Sequence, residues 1–355
     1  MLYFLLKLIM RVATWLAYRR VVRCNLERLE NGRATLILAN HSASFMDAML
    51  MGVVLRRRVH FFTRGDVFAK PLANKILRAL GMLPVYRISE GKENMHRNDD
   101  TNAEALRVLA AGGAVLIFAE GTSALEKRLK PLKKGPFRLA ALAAAQGLGP
   151  VIATVGINYV TPAKAAGDVF IAAGDSIDAA ALGEGSEARL ATHTMRLADD
   201  ALRGVVWDAQ DSEKAALADA ALLQLQEHNH RFSFDDTMAV VAGINSGVYQ
   251  HPPSVARRTA SQWLALILFS PFAAVGFAFH YLPVRAAMLA ADKQVREPDF
   301  YAPVVVGAAV LLVLLWYAVW AVALVVLWKM ELLLLLPVMA YCGVIYQKRW
   351  RYWLG

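Results

Sequence analysis

The stretch Ala34-Thr35-Leu36-Ile37-Leu38-Ala39-Asn40-His41-Ser42-Ala43-Ser44-Phe45-Met46-Asp47 decides how the rest of the chain is read. The apolar run 34–39 predicts a buried strand that ends in Asn40-His41. A turn comes next, and then a helix that starts near Ser42 or Ser44, both good N-cap residues. An imidazole delivered at a strand end can take a proton. A carboxylate about one and a half helical turns further on can hold that imidazole in one tautomer and stabilise its charged form. Alone, a His near an Asp is more often a capped, solvated or core histidine. The pair gains weight from three motifs downstream.

They come in a fixed order. In Gly81-Met82-Leu83-Pro84-Val85-Tyr86-Arg87 a glycine ends a helical stretch (72–80), a short apolar strand follows, and an arginine closes it. The plain reading is a helix-to-strand turn with a solvated arginine. The functional reading is a guanidinium fork clamping a phosphate. In Val115-Leu116-Ile117-Phe118-Ala119-Glu120-Gly121-Thr122-Ser123 a buried strand runs into Glu-Gly-Thr. Gly121 permits close backbone approach to a ligand, Thr122 offers a hydroxyl, and Glu120 can accept from a substrate hydroxyl. A turn with a solvated glutamate is the alternative. The run Val151-Ile152-Ala153-Thr154-Val155-Gly156-Ile157-Asn158-Tyr159 reads as a core strand.

These four pieces in this order resemble the phospholipid/glycerol acyltransferase family, over roughly residues 18–177. The resemblance implies catalysis by His41 and Asp47. It implies glycerol phosphate binding by Gly81, Arg87, Glu120, Gly121 and Thr122, and an association of the 151–159 strand with the acyl donor. Pro131-Leu132-Lys133-Lys134-Gly135 is similar to the family's segment after the third motif. There are departures. The commonest family spacing has four residues between His and Asp, and this chain has five. A branch resembling glycerol-3-phosphate/dihydroxyacetone-phosphate acyltransferases shares that spacing, the Gly-Thr-Ser third motif and an apolar C-terminal tail. Ala119 and Thr154 stand where the family usually has proline.

Composition points the same way. The chain has 355 residues, 57% hydrophobic, with a mean hydropathy of +0.37, a net charge of +10 and a pI near 9.6. Basic excess combined with apolar segments reads as attraction to an anionic lipid surface, and no nucleic-acid-binding motif is present. The two cysteines, Cys24 and Cys342, have no metal-ligand spacing and make no disulfide framework, which suits a reducing, cytoplasmic-side domain. There is no P-loop, no dinucleotide fingerprint and no nucleophile elbow. His228 and His230 with Asp235 and Asp236 read as a solvated helix end before a metal cluster.

Residues 1–20 predict an amphipathic interfacial helix, with a helix packed on the domain as the alternative. Residues 21–183 alternate apolar β runs (34–39, 59–63, 83–86, 115–118, 151–159, 169–172) with helical patterns (102–111, 137–145). This predicts an α/β acyltransferase domain with a largely parallel central sheet flanked by helices. Residues 184–255 read as a helical annex or linker. The basic run Lys127, Arg128, Lys130, Lys133, Lys134 and Arg138 reads as a solvated face that could also meet lipid headgroups or an anionic donor. Residues 256–355 form a membrane region. Segment 260–282, interrupted by Pro271, is re-entrant or spanning, and 304–327 and 332–346 are spanning C-terminal transmembrane helices. Basic flanks at 257–258, 293–296 and 348–351 favour a hairpin with both ends cytoplasmic, since three full crossings would leave one flank outside.

Together these readings predict an integral membrane enzyme, set in a bacterial inner membrane with its catalytic domain on the cytoplasmic face. His41 would deprotonate a glycerol hydroxyl as it attacks a thioester, with acyl-CoA or acyl carrier protein as co-substrate and no metal or tightly bound cofactor. Arg64 and Lys70 are further phosphate candidates. The expected acceptor is glycerol 3-phosphate or dihydroxyacetone phosphate, with a lysolipid as the alternative. An acyl hydrolase and a non-catalytic lipid-binding membrane protein are the competing functions.

Overall fold

The computed structural model describes all residues except 1, 31, 87–95, 164–165, 180–184, 229–231, 250–259 and 351–355. In chain order the elements are α1 (Leu2–Ala17), β1 (Arg20–Cys24), β2 (Thr35–Ala39), α2 (Phe45–Val54), β3 (Val59–Arg64), α3 (Pro71–Ala79), β4 (Met82–Val85), α4 (Arg97–Ala110) and β5 (Ala114–Phe118). There follow α5 (Lys134–Ala145), β6 (Val151–Thr161), β7 (Ala166–Asp178), α6 (Glu187–Arg203), α7 (Ser212–His228), α8 (Phe234–Asn245), α9 (Ala260–Gln294), α10 (Tyr301–Val326) and α11 (Leu335–Ile345).

Seven strands form one sheet in the order β1-β7-β6-β2-β5-β3-β4. β2 pairs in parallel with both β5 and β6, and β3 pairs in parallel with β4 and β5. Helices return the chain between these strands, as parallel pairing demands. The C-terminal ends of β2, β3, β4, β5 and β6 therefore share one edge, where ligands gather in such sheets. β6 and β7 are neighbours joined by only four residues, 162–165, too few for a crossover, so they run antiparallel.

The chain divides into two compact units. The first comprises Met1–Arg11, Val22–Asn158 and Phe170–Ala215. Its core lies on one face of the sheet, where Leu36, Leu38, Val115 and Ile152 meet Phe137, Leu139 and Ala140 of α5 and Leu190, Ala198 and Leu202 of α6. This unit continues past residue 183, as far as Ala215. Residues of α6 and the Val205–Trp207 turn complete this core, because apolar side chains at helical spacing (190, 191, 198, 202) face inward, with the Thr194 hydroxyl satisfied by Leu190 O. Asn158 fixes that turn, donating to Val205 O at 2.8 Å and accepting from Trp207 N at 2.9 Å.

The basic side chains of α1 bond back to α2, Lys7 half-buried and Arg11 exposed. Lys7 donates to Leu55 O and Arg11 to Val53 O, so both satisfy orphan carbonyls at the C-terminus of α2. The outward stripe of α1 is apolar, with Phe4, Leu5, Leu8, Val12 and Trp15 exposed. The basic run 127–138 also divides. Lys127 is buried with its ammonium over the Trp207 ring, and Arg138 pairs with Glu187 at 2.9 Å.

The second unit comprises Val12–Val21, Tyr159–Val169 and Ala216–Gly355. Its polar centre is Asp168, fully buried, which accepts from Arg19 Nε at 2.6 Å and Arg20 Nε at 2.8 Å. Gln226 completes the network, accepting from Asp168 N at 2.7 Å through its side chain and from Arg19 Nη1 at 2.8 Å through its carbonyl. Asp235 and Asp236 open α8, and Asp236 and Ser233 form a reciprocal cap. His230 lies outside the described residues.

Three helices of this unit are long and apolar enough to cross a membrane: Trp263–Gln294, Tyr301–Val326 and Met330–Lys348. α9 is 35 residues long and runs unbroken through Pro271 and Pro283, well beyond the expected 260–282. His280 cross-links the bundle. Its Nδ1 donates to Gly276 O at 2.8 Å, which leaves Nε2 to accept from the Tyr317 hydroxyl at 2.9 Å.

Asp168→Asn leaves two guanidinium groups around a neutral side chain. It should destabilise the second unit by ~3–5 kcal/mol, the usual cost of stripping one partner from a buried ion pair. Hydrogen exchange of β7 and α7 amides should rise accordingly, and unchanged protection would show the pair to be dispensable.

Candidate active site

β2 is buried along its whole length and delivers Asn40 and His41 to the C-terminal edge of the sheet. Asn40 extends the ladder with its side chain. Its Nδ2 donates to Ile157 O at 3.0 Å and its Oδ1 accepts from Ile157 N at 2.7 Å, one rung beyond the Ala39–Val155 pair. The same Nδ2 donates to Ser42 Oγ at 3.0 Å. This anchor holds the strand end from which His41 departs. Asn40 had no expected role; an amide directly before the histidine, at the end of a buried strand, was the available signal.

His41 Nδ1 lies 2.8 Å from Asp47 Oδ2. The same oxygen accepts from Ala43 N at 2.9 Å, so it serves as an acceptor toward both groups, and Nδ1 carries the proton. Nε2 is then the nitrogen with the free lone pair. Asp47 is fully buried, and the His41 side chain is 15% exposed. The residue added to the commoner His–Asp spacing sits in a turn that is not yet helical. Ser44 adopts φ 49°, ψ −127°, an unfavourable region for a residue with a Cβ, and Asp47 becomes the third residue of α2.

Register brings the third motif to the same place. Ala39 pairs with Phe118, so His41 and Glu120 each lie two residues past the last paired rung. The His41 ring stacks on Phe118, with centroids 4.0 Å apart and planes 7° from parallel. Four backbone donors lock the two loops: His41 N donates to Glu120 Oε1 at 3.3 Å, Ala119 N to Ala39 O at 2.9 Å, Ala124 N to His41 O at 3.0 Å, and Lys133 N to Ala119 O at 2.8 Å. A proline at 119 would lack the N–H given to Ala39. Gly121 takes φ +71°, and a Cβ there would meet Lys133 Cγ at 3.0 Å. Thr122 is exposed beside it.

Glu120 is buried, and burial pushes its carboxyl up to about 8, with the nearby Asp47 charge adding to the rise; the His41 N–H and Lys130 pull the other way. At neutral pH the group is mainly the neutral acid, able to donate a hydrogen bond as well as accept one. The sequence alone suggested only the accepting role.

The remaining candidates divide. Arg64 ends β3 on the same edge, exposed and paired with Asp66 at 2.7 Å. Lys70 is exposed at the N-cap of α3. Gly81 is not brought to the edge. It sits at the N-terminal end of β4 with φ +82°, its N–H bonded to Arg78 O and its carbonyl to Phe61 N, and a Cβ would approach Val59 O at 3.3 Å. Its position serves the turn from α3 into β4. Arg87 lies outside the described residues. Tyr86, just before it, is clamped by the Asn98 amide, which donates to Tyr86 O at 2.8 Å and accepts from its N at 2.9 Å. Among the described residues no group of three or more His, Cys, Asp or Glu gathers to hold a metal.

Residues 20–158, the segment that holds His41, Asp47 and Glu120, match the family model described as Acyltransferase. Among curated proteins, the chain is 24% identical over 139 residues to a chloroplastic 1-acyl-sn-glycerol-3-phosphate acyltransferase of Brassica napus, covering 39% of this chain and 38% of that one. It is 27% identical over 123 residues to another of Arabidopsis thaliana, covering 34% and 33%. The chain thus spans 38% and 33% of the length of those relatives. A solved structure of the 1-acyl-sn-glycerophosphate (LPA) acyltransferase, PlsC, from Thermotoga maritima aligns with a TM-score of 0.41 at 22% identity, over 56% of this chain and 77% of that one.

Glu120→Gln removes the cost of ionising a buried acid. Between about pH 4.5 and 8 the unfolded chain has lost this proton and the folded one keeps it, so folding stability falls as pH rises. The variant should therefore melt higher than the unaltered chain at pH 8 and gain least near pH 4. A gain independent of pH would mean that Glu120 does not titrate there.

Proposed function

We propose that this chain is a membrane-held acyltransferase that moves a fatty acyl group from a thioester to a hydroxyl of a glycerol phosphate lipid. The observation that carries the reading is the 2.8 Å His41–Asp47 contact at the end of β2, beside the buried acid Glu120. His41 Nε2 takes the proton of the acceptor hydroxyl as its oxygen attacks the thioester carbonyl carbon. Asp47 stabilises the imidazolium that forms. When the tetrahedral centre collapses, the C–S bond breaks and His41 returns the proton to the departing thiolate. Glu120, as a neutral acid, donates to an acceptor oxygen. Arg87, Lys70 and the Gly121-Thr122 turn hold the phosphate, with Arg64 contributing while it is shared with Asp66. Acyl-CoA or acyl carrier protein is the donor, and no resident cofactor takes part.

For the acceptor we favour 1-acylglycerol 3-phosphate. Both curated relatives carry that activity in their names, and an acceptor that already bears one chain suits a catalytic segment joined to three apolar helices. The second reading is glycerol 3-phosphate or dihydroxyacetone phosphate, and it rests on the five-residue His–Asp spacing and Gly121-Thr122-Ser123. The setting is an anionic membrane crossed by α10 and α11 as a hairpin, with α9 re-entrant or spanning. In a bacterium this is the inner membrane, with the catalytic segment on the cytoplasmic side, as the basic flanks favour.

The test is transfer from labelled acyl-CoA by the full chain in vesicles, with each acceptor in turn. Transfer should be most efficient to 1-acylglycerol 3-phosphate, and Asp47→Asn should lower kcat by roughly 10²-fold or more. Thiol release that does not depend on any acceptor would instead make the chain a hydrolase.

A further inference from the structure

Exposed apolar surface in residues 22–158 and 170–215 is confined to one edge. Among the described residues there, the large hydrophobic side chains that stand exposed are Phe45, Val67, Leu72 and Ile76. Phe45, Val67 and Leu72 lie where the chain leaves the C-terminal end of β2 or β3, and Ile76 follows in α3. Phe45 opens α2, four residues after His41, and Val67 follows Arg64 by three. Leu72, 71% exposed, is the second residue of α3, and Ile76, 41% exposed, lies one turn on along the same face. Elsewhere in the first unit α1 exposes Phe4, Leu5 and Leu8, whereas α4, α5, α6 and the rest of α2 show no such side chain.

α3 is anomalous for a crossover helix. Between two parallel strands such a helix normally buries a stripe against the sheet, yet none of its nine residues is buried. It is held at its C-terminal end, where Arg78 pairs with Glu104 of α4 at 2.8 Å. Lys70 and Lys75 stand exposed beside Leu72 and Ile76. Apolar side chains flanked by ammonium groups match the acyl–headgroup boundary of an anionic bilayer, where the lysine stems lie on the apolar surface and their charges reach lipid phosphates.

We propose that Phe45, Val67, Leu72 and Ile76 form an access rim that seats in an anionic lipid surface, and that a single-chain acceptor slides along it to His41 without leaving the membrane. The access route rests on the acyltransferase reading above; the seating of the rim does not.

Two measurements on the full chain test it. In a Cys24→Ser background, an environment-sensitive fluorophore is placed on Leu72→Cys or Ile76→Cys. The chain is reconstituted in phosphatidylglycerol/phosphatidylcholine vesicles with nitroxide-labelled acyl chains. Both sites should be quenched and shifted to the blue. An Arg107→Cys control, exposed where α4 leads into the opposite edge, should not. Quenching at 72 and 76 no greater than at 107 overturns the rim. In the second measurement, Leu72→Asp, with Leu72→Ser as the milder change, should lower kcat/KM for vesicle-embedded 1-acylglycerol 3-phosphate and spare that for a short-chain, monomeric analogue. Equal loss on both acceptors, or loss on neither, overturns the route. If the unaltered chain acylates no acceptor, the acyltransferase reading and the route fall together, and the quenching result still decides whether the rim meets lipid.

Discussion

The hydrogen bond between His41 and Asp47 depends on where two backbones stop. β2 must end at Ala39, so that the next two residues leave the sheet at its C-terminal edge, and α2 must begin at Phe45, so that Asp47 falls in its first turn. The Asn40 amide fixes the first condition by pairing with both backbone groups of Ile157. The Ser44 conformation and the Ala43 N–H given to Asp47 fix the second. A histidine on a free loop would sample many orientations. Here the ring is held by a carboxylate on one nitrogen and by the face of Phe118. A base that must meet a hydroxyl within hydrogen-bond reach gains most from that kind of restraint.

Parallel pairing extends this constraint to the rest of the site. Because β2, β5, β3 and β4 point the same way, the residues that follow each strand converge. Ala119 and Thr154 both sit in this framework. Ala119 supplies an N–H that proline lacks, and Thr154, paired with Leu38, lies within a fully buried stretch of β6. Burial then gives Glu120 its character. A carboxyl taken out of water beside another carboxylate keeps its proton, and an acid in that state can approach a phosphate-bearing acceptor without repelling it.

Much of the site was legible in the sequence because it is local. A six-residue apolar run, two serines and an aspartate six residues past a histidine define strand, turn and helix with little help from the remainder of the chain. What was not legible depends on partners distant in sequence. Lys7 and Arg11 look like the polar face of a surface helix until Val53 and Leu55 are seen to present their carbonyls. Gly81 lies in a motif that suggests ligand contact, yet its φ of +82° and its place at the start of β4 belong to a turn. Residues 184–215 carry helical periodicity, and nothing in that pattern says that Leu190, Ala198 and Leu202 complete a core begun at residue 36. Phe118 reads as the last apolar residue of a strand, and only the β2–β5 register sets it under an imidazole.

If His41 is the base that activates the acceptor, its loss should show in the rate of the chemical step before anything else. The decisive measurement is turnover of His41→Ala in the reconstituted full chain, with labelled acyl thioester and saturating 1-acylglycerol 3-phosphate. Because the side chain is a partly exposed cap over Phe118, its removal should leave the fold and the acceptor KM nearly unchanged. The value of kcat should fall by about 10²–10⁴-fold, the range that general-base catalysis supplies. Turnover within a few-fold of the unaltered chain would contradict the assignment of His41 as the base.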